Sequence, residues 1–168
     1  MKIFLSQESE EDISFKVGSL VELGLVDGSI LILVKRIHCP EYDQVLINAA
    51  SSRNFEGFLK DLQGGAGVDY QSSRGKTALF WASKNGFTEI ARTLIRRGAN
   101  INIQSFYGNT ALICAADNSI EIVKLLIEAK TNLDIENIWG WSAMKIAESK
   151  KDEKTMALLR KAVASDPV

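Results

Sequence analysis

Gly75-Lys76-Thr77-Ala78-Leu79-Phe80-Trp81-Ala82 returns as Gly108-Asn109-Thr110-Ala111-Leu112-Ile113-Cys114-Ala115 and again as Gly140-Trp141-Ser142-Ala143-Met144-Lys145-Ile146-Ala147. The three glycines lie 33 and 32 residues apart. Self-similarity at such a period marks stacked helix–turn–helix units that share one elongated core, because no single unit can bury its own apolar face. The shared positions are apolar packing residues and turn glycines rather than acids, bases or nucleophiles. The pattern therefore asks which partner the chain meets, not which reaction it runs.

Within the first copy, Thr77 is placed to cap a short helix that runs to about Asn85, with Leu79 and Ala82 on one side. Asn85-Gly86 breaks it, and a second helix is expected from about Thr88 to Arg97. There Ile90 and Leu94, and Ala91 and Ile95, form apolar pairs at i, i+4, leaving Arg92, Arg96 and Arg97 for solvent. Gly98 ends that helix, and Asn100 to Gly108 reads as an extended link closing in a β-turn finger.

In the second copy one residue is lost, near Asn118-Ser119 in the inter-helix turn, before a helix over about Ile120 to Ala129. The third copy has no turn glycine: Lys150-Lys151-Asp152-Glu153-Lys154 precede Met156, Leu158 and Leu159, as a polar terminal unit requires. A fourth unit stands upstream, where Leu46-Ile47-Asn48-Ala49-Ala50, Arg53-Asn54, Phe58 to Leu62 and Gly64 to Asp69 repeat the helix–turn–helix–extended order without a finger.

Gly75-x-Thr77-x-Leu79…Ala82…Gly86…Ile90…Leu94-Ile95…Gly98-Ala99-Asn100-Ile101-Asn102 resembles the ankyrin repeat, over roughly residues 41–163. The resemblance implies a mainly α solenoid of helix–turn–helix units with β-turn fingers, its units at about 41–71, 72–104, 105–136 and 137–165. The proline usual after the family's threonine is Ala78, Ala111 and Ala143 here, and its usual histidine is Phe80, Ile113 and Lys145. That histidine ties neighbouring turns by a hydrogen bond. Phe80 and Ile113 are expected to substitute by packing, while Lys145 is expected to reach solvent and leave the last turn without the tie.

Residues 1–40 do not repeat. Leu20 to Val26, Asp27-Gly28 and Ser29 to Ile37 read as a β-hairpin docked on the first unit, although the apolar run Leu20 to Val34 also fits a helix. Across all 168 residues, 46% are apolar and 24% charged, the balance of a soluble globular protein. Twenty Lys and Arg against 21 Asp and Glu give a net charge of −1, which lends nothing to phosphate-driven binding of nucleic acid. Residues 1–43 carry eight acids and four bases, and residues 145–161 six bases and three acids, an asymmetry read as solubilising ends. Two cysteines make no disulfide framework, and the expected setting is the reducing cytoplasm, with delivery as an effector the alternative. Neither a signal peptide nor a membrane span is read from the sequence.

Catalytic constellations are weak. His38 beside Cys39 lacks the second pair that a four-ligand metal site needs, and it is the only histidine available to a serine nucleophile. Gly64-Gly65-Ala66-Gly67 lacks the Gly-Lys-Ser/Thr of a phosphate loop. No catalytic residue, cofactor or metal is expected. The finger residues are the better candidates: Phe106, Ile138 and Trp141 for binding, with Tyr107 and Trp139 assigned first to packing between fingers. Trp81 is read as core or groove floor. Arg74, Lys76, Lys84 and Asp117 complete a polar rim, and Asn109 and Lys145 stand at neighbouring finger and helix positions.

The resemblance implies a non-catalytic module, an adaptor, inhibitor or scaffold, that holds a protein partner on a concave face of fingers and inner helices. The alternative is a ligand-binding or enzymatic activity in residues 1–40, or self-association through an open hairpin edge, with the repeats for targeting; otherwise a monomer is expected.

Overall fold

A computed structural model of the chain describes residues 40–165. These residues belong to one compact unit that begins at Cys39. The expected hairpin, and the pairing of His38 with Cys39, lie outside the described residues.

Among the described residues eight helices follow one another and there is no strand: α1 (Pro40–Ser51), α2 (Phe55–Gln63), α3 (Ala78–Asn85), α4 (Thr88–Arg96), α5 (Ala111–Asn118), α6 (Ile120–Glu128), α7 (Ala143–Lys150) and α8 (Glu153–Ser165). They pair as α1/α2, α3/α4, α5/α6 and α7/α8. The first helices pack on one another in the order α1, α3, α5, α7, and the second helices α4, α6 and α8 form the layer behind them. The first helices sit close because their contact positions are small: Ala78, Ala82, Ala111, Ala115, Ala143 and Ala147 are all buried. The second helices fill the interior with Ile90, Leu94, Ile122, Val123, Leu126 and Leu159. A buried leucine of this kind stabilises by about 2–5 kcal/mol relative to alanine.

Each first helix of the repeated units starts on a capping hydroxyl. Thr77 Oγ1 accepts from Phe80 N at 3.1 Å, Thr110 Oγ1 from Ile113 N at 3.3 Å and Ser142 Oγ from Lys145 N at 3.4 Å. The turns between helices differ. Gly86 takes a left-handed conformation at φ 71°. In the unit one residue shorter, Ser119 is extended and serves two helices at once, ending α5 and capping α6 through Ile122 N. Where the third copy lacks glycine, Lys151 itself takes the left-handed turn at φ 56°, so the geometry survives the substitution.

The fingers are built alike. Ser72 and Lys76, Ser105 and Asn109, and Asn137 and Trp141 close each one by a backbone bond of 2.9–3.0 Å. Inside it Gly75, Gly108 and Gly140 donate back to Ser72, Ser105 and Asn137 at 2.7–2.9 Å. Adjacent fingers are then joined, Phe106 N donating to Arg74 O at 3.0 Å and Ile138 N to Tyr107 O at 3.1 Å. Behind them a second ladder crosses the seams: Asp69 Oδ1 accepts from Asn100 N, and Asn102 Oδ1 from Thr131 Oγ1 and Asn132 N, at 2.8–3.0 Å.

Two finger glycines separate backbone conformation from close approach. Gly108 and Gly140 have nearly the same φ, 75° and 73°. A Cβ on Gly108 would lie 2.9 Å from Asn137 Cα of the next finger, whereas on Gly140 it would meet only Glu136 Oε2 at 3.7 Å. Gly140→Ala should cost the left-handed conformation alone, about 1–2 kcal/mol. Gly108→Ala should add the loss of the inter-finger hydrogen bond, about 1 kcal/mol more. Urea unfolding of the two variants checks this, and equal losses would refute the close-approach argument.

Asp152 caps α8, its Oδ1 accepting from Lys154 N at 3.1 Å and Thr155 N at 3.2 Å and its Oδ2 from the buried Thr155 hydroxyl at 2.7 Å. These bonds, first that of the Thr155 side chain, hold the Asp152 carboxyl below its ordinary range. Asp152→Ala should destabilise by about 1 kcal/mol at neutral pH. A depressed folded-state pKa stabilises fully above the unfolded value and loses that contribution as pH falls through the folded one. The gap between wild type and variant should therefore narrow in acid titrations of thermal stability, and a gap that widens toward acid pH would contradict the assignment.

Candidate protein-binding face

The joined fingers place equivalent residues in columns. Arg74, Tyr107 and Trp139 precede the finger glycines, Phe106 and Ile138 stand one residue earlier, and Lys76, Asn109 and Trp141 follow. The Tyr107 and Trp139 rings stack across the seam with centroids 5.5 Å apart and an interplanar angle of 22°. Phe106 meets Tyr107 edge-on at 5.5 Å. Aromatic pairs in such offset and edge arrangements add about 0.5–1.5 kcal/mol beyond burial.

Stacking does not hide these rings. Phe106 is 76% exposed, Ile138 63%, Trp139 61%, Tyr107 43% and Trp141 40%. Tyr107 and Trp139 thus do pack between fingers, yet Trp139 offers a larger fraction of its surface to solvent than Trp141. The division into packing residues and surface residues is replaced by one stacked and open apolar edge.

Next to it lies a cationic platform on α3. Lys76 Nζ sits 4.6 Å from the centroid of the Trp81 ring and 5.4 Å from that of Phe80, and Lys84 Nζ sits 5.5 Å from that of Trp81. Trp81 and Lys84 are three apart on α3, so they share a side. Trp81 meets the buried Phe80 ring edge-on at 5.8 Å, and Lys76 reaches the same indole from the finger. Desolvation, then Lys84 and Arg74, lower the Lys76 pKa from its usual value. Trp81 is therefore the floor under two ammonium groups, a role that the i, i+3 spacing to Lys84 signals and that the finger lysine completes only in three dimensions.

Other candidates are engaged within the chain. Asn109 Oδ1 accepts from Asn137 Nδ2 at 2.8 Å, tying the second finger to the third. Asp117 is paired through its carboxylate and its carbonyl with Lys150 of the next unit, a partner that the sequence reading did not single out. Lys145 is exposed, as expected for its place, and makes no bond to a neighbouring turn, but its side chain is engaged at its own finger. Its Nζ donates to Gly140 O at 2.8 Å and pairs with Glu136 Oε1 at 2.7 Å, so a long ammonium side chain closes its own finger. Phe80 and Ile113 at the same helix position are buried and hold their turns by packing.

Cys114 on α5 lies near the same platform, but burial pushes its thiol up to about 12, which leaves it a poor nucleophile and metal ligand near neutral pH. Among the described residues, no three His, Cys, Asp or Glu side chains gather as a metal site, and no helix is long and apolar enough to cross a membrane.

Comparison with known proteins agrees with this architecture. A family model of ankyrin repeats, in three copies, matches residues 46–137. A putative ankyrin repeat protein of Rickettsia bellii is 36% identical over 91 residues, covering 49% of this chain and 38% of that protein. Ankyrin repeat protein OPG189 of Variola virus is 32% identical over 72 residues, 43% of this chain and 13% of the viral protein. A Caenorhabditis elegans intracellular phospholipase A2 is 33% identical over 110 residues, 60% of this chain but only 10% of that protein. The chain thus spans well under two thirds of the length of each of these relatives. With more than half of its length matched by three repeat copies, and four stacked helix pairs joined by three fingers, the chain belongs to the ankyrin repeat family.

Proposed function

We propose that this chain is a non-catalytic protein-binding module whose partner lies along the fingers and first helices. Ankyrin repeats are generally protein–protein interaction modules, and extended faces of this kind are what solenoids offer a partner. The observation that carries the reading is the distribution of exposed apolar side chains. Eight large hydrophobic residues are exposed among the described residues, and five of them, Phe106, Tyr107, Ile138, Trp139 and Trp141, belong to two adjacent fingers. Contiguous exposed aromatics beside polar groups are typical of interface anchors, whereas scattered ones need no explanation. Arg74, Lys76 and Lys84 border this edge as the polar part of the face, with Asp117, Lys145 and Asn109 fixing its geometry.

Affinity capture with the full chain, quantified by mass spectrometry, tests the assignment. Phe106→Ala combined with Trp139→Ala should release the captured partner by at least about tenfold, since central aromatic anchors contribute about 2 kcal/mol or more each. Arg92→Ala on α4, outside the fingers, should leave capture unchanged. Equal loss in both variants, or none in either, would refute the finger face as the binding surface.

A further inference from the structure

The charges on this face are not evenly arranged. At the first-finger end, Arg74, Lys76 and Lys84 have no carboxylate within ion-pair distance among the described residues. At the third-finger end, by contrast, Lys145 is matched with Glu136 and Lys150 with Asp117. Both unmatched lysines lie over the indole of Trp81, which draws the two charges to one spot. Desolvation first, and then the neighbouring Lys84 and Arg74 charges, hold the Lys76 ammonium below its usual pKa. An anion seated there would offset those charges. The joined fingers lead directly from this site to the apolar edge, since Arg74 O accepts from Phe106 N and Phe106 touches Tyr107.

We propose that the face takes an extended acidic protein segment, its carboxylates against Arg74, Lys76 and Lys84 and a bulky apolar side chain against Phe106, Tyr107 and Trp139. The proposal rests on the finger-face reading above and adds the partner's chemistry and polarity to it. A polyphosphate backbone fits less well. Nucleic acids need cations along the whole track, whereas beyond the first finger this face presents Asp117 and Glu136 beside its lysines. An acidic end followed by an apolar anchor matches both halves of the face.

Selection from a displayed library of random dodecapeptides by the full chain tests this. Selected peptides should be enriched in Asp and Glu flanking Phe, Trp or Leu. Lys76→Glu with Lys84→Glu should weaken their binding by about tenfold or more, and wild-type binding should fall as salt is raised. Arg96→Glu with Arg97→Glu makes the same change in net charge at the C-terminal end of α4 and should have little effect. Circular dichroism and thermal melts establish that both double variants are folded, and Lys84→Gln provides a milder variant with a smaller loss. Recovery of neutral or basic peptides that still depend on Phe106 and Trp139 would overturn the acidic partner while keeping the finger face. Peptides indifferent to Phe106→Ala with Trp139→Ala would overturn both. Recovery of no peptide, or tighter binding of a single-stranded oligonucleotide than of any acidic peptide, would overturn the proposal.

Discussion

Neighbouring fingers can hydrogen-bond because the residue at the crossing point carries no Cβ. The backbone of the third finger passes within 2.9 Å of where a side chain on Gly108 would begin, and that of the second within 3.0 Å of the same point on Gly75. This one exclusion fixes the spacing of the fingers, and the rest of the binding edge inherits it. The Tyr107–Trp139 stack, the Asn109–Asn137 tie and the path from Arg74 to Phe106 all require that separation. At the other end of each finger, Thr77, Thr110 and Ser142 turn extended backbone into a helix at a fixed residue.

The period, the capping hydroxyls and the small residues of the first helices were legible in the sequence because they obey local rules. Thr77 caps wherever a helix begins after it, and alanines recurring at one helix position announce close packing. The missing residue at Asn118-Ser119 was legible too, although not that Ser119 would serve both helices. Less visible was the chemistry that depends on reach. Lys145 was expected only to reach solvent, yet its flexible ammonium arrives at Gly140 O and closes its own finger. Lys130 and Lys151 occupy left-handed turns where a glycine would be unstrained, a conformation that a lysine does not advertise.

The candidate site was legible in its members more than in their arrangement. Copy-to-copy differences pointed to Arg74, Phe106-Tyr107 and Ile138-Trp139. Sequence could not show that stacking and exposure coexist at Tyr107 and Trp139, because both are set by the offset between fingers. Nor could it separate the matched lysines of the last unit from the unmatched ones of the first, since the acids that match them come from a preceding finger link and a preceding helix.

The stacked pair across the second seam also ties occupancy to cooperativity. In a solenoid each unit contacts only its neighbours, so stability is a chain of intrinsic and interfacial terms. A ligand that touches Tyr107 and Trp139 together straddles two units and strengthens the interfacial term between them. By mass action it stabilises the state in which both units are folded side by side. The bound protein would then unfold across that seam as a single block, with local fraying of the last unit suppressed by something held on its surface.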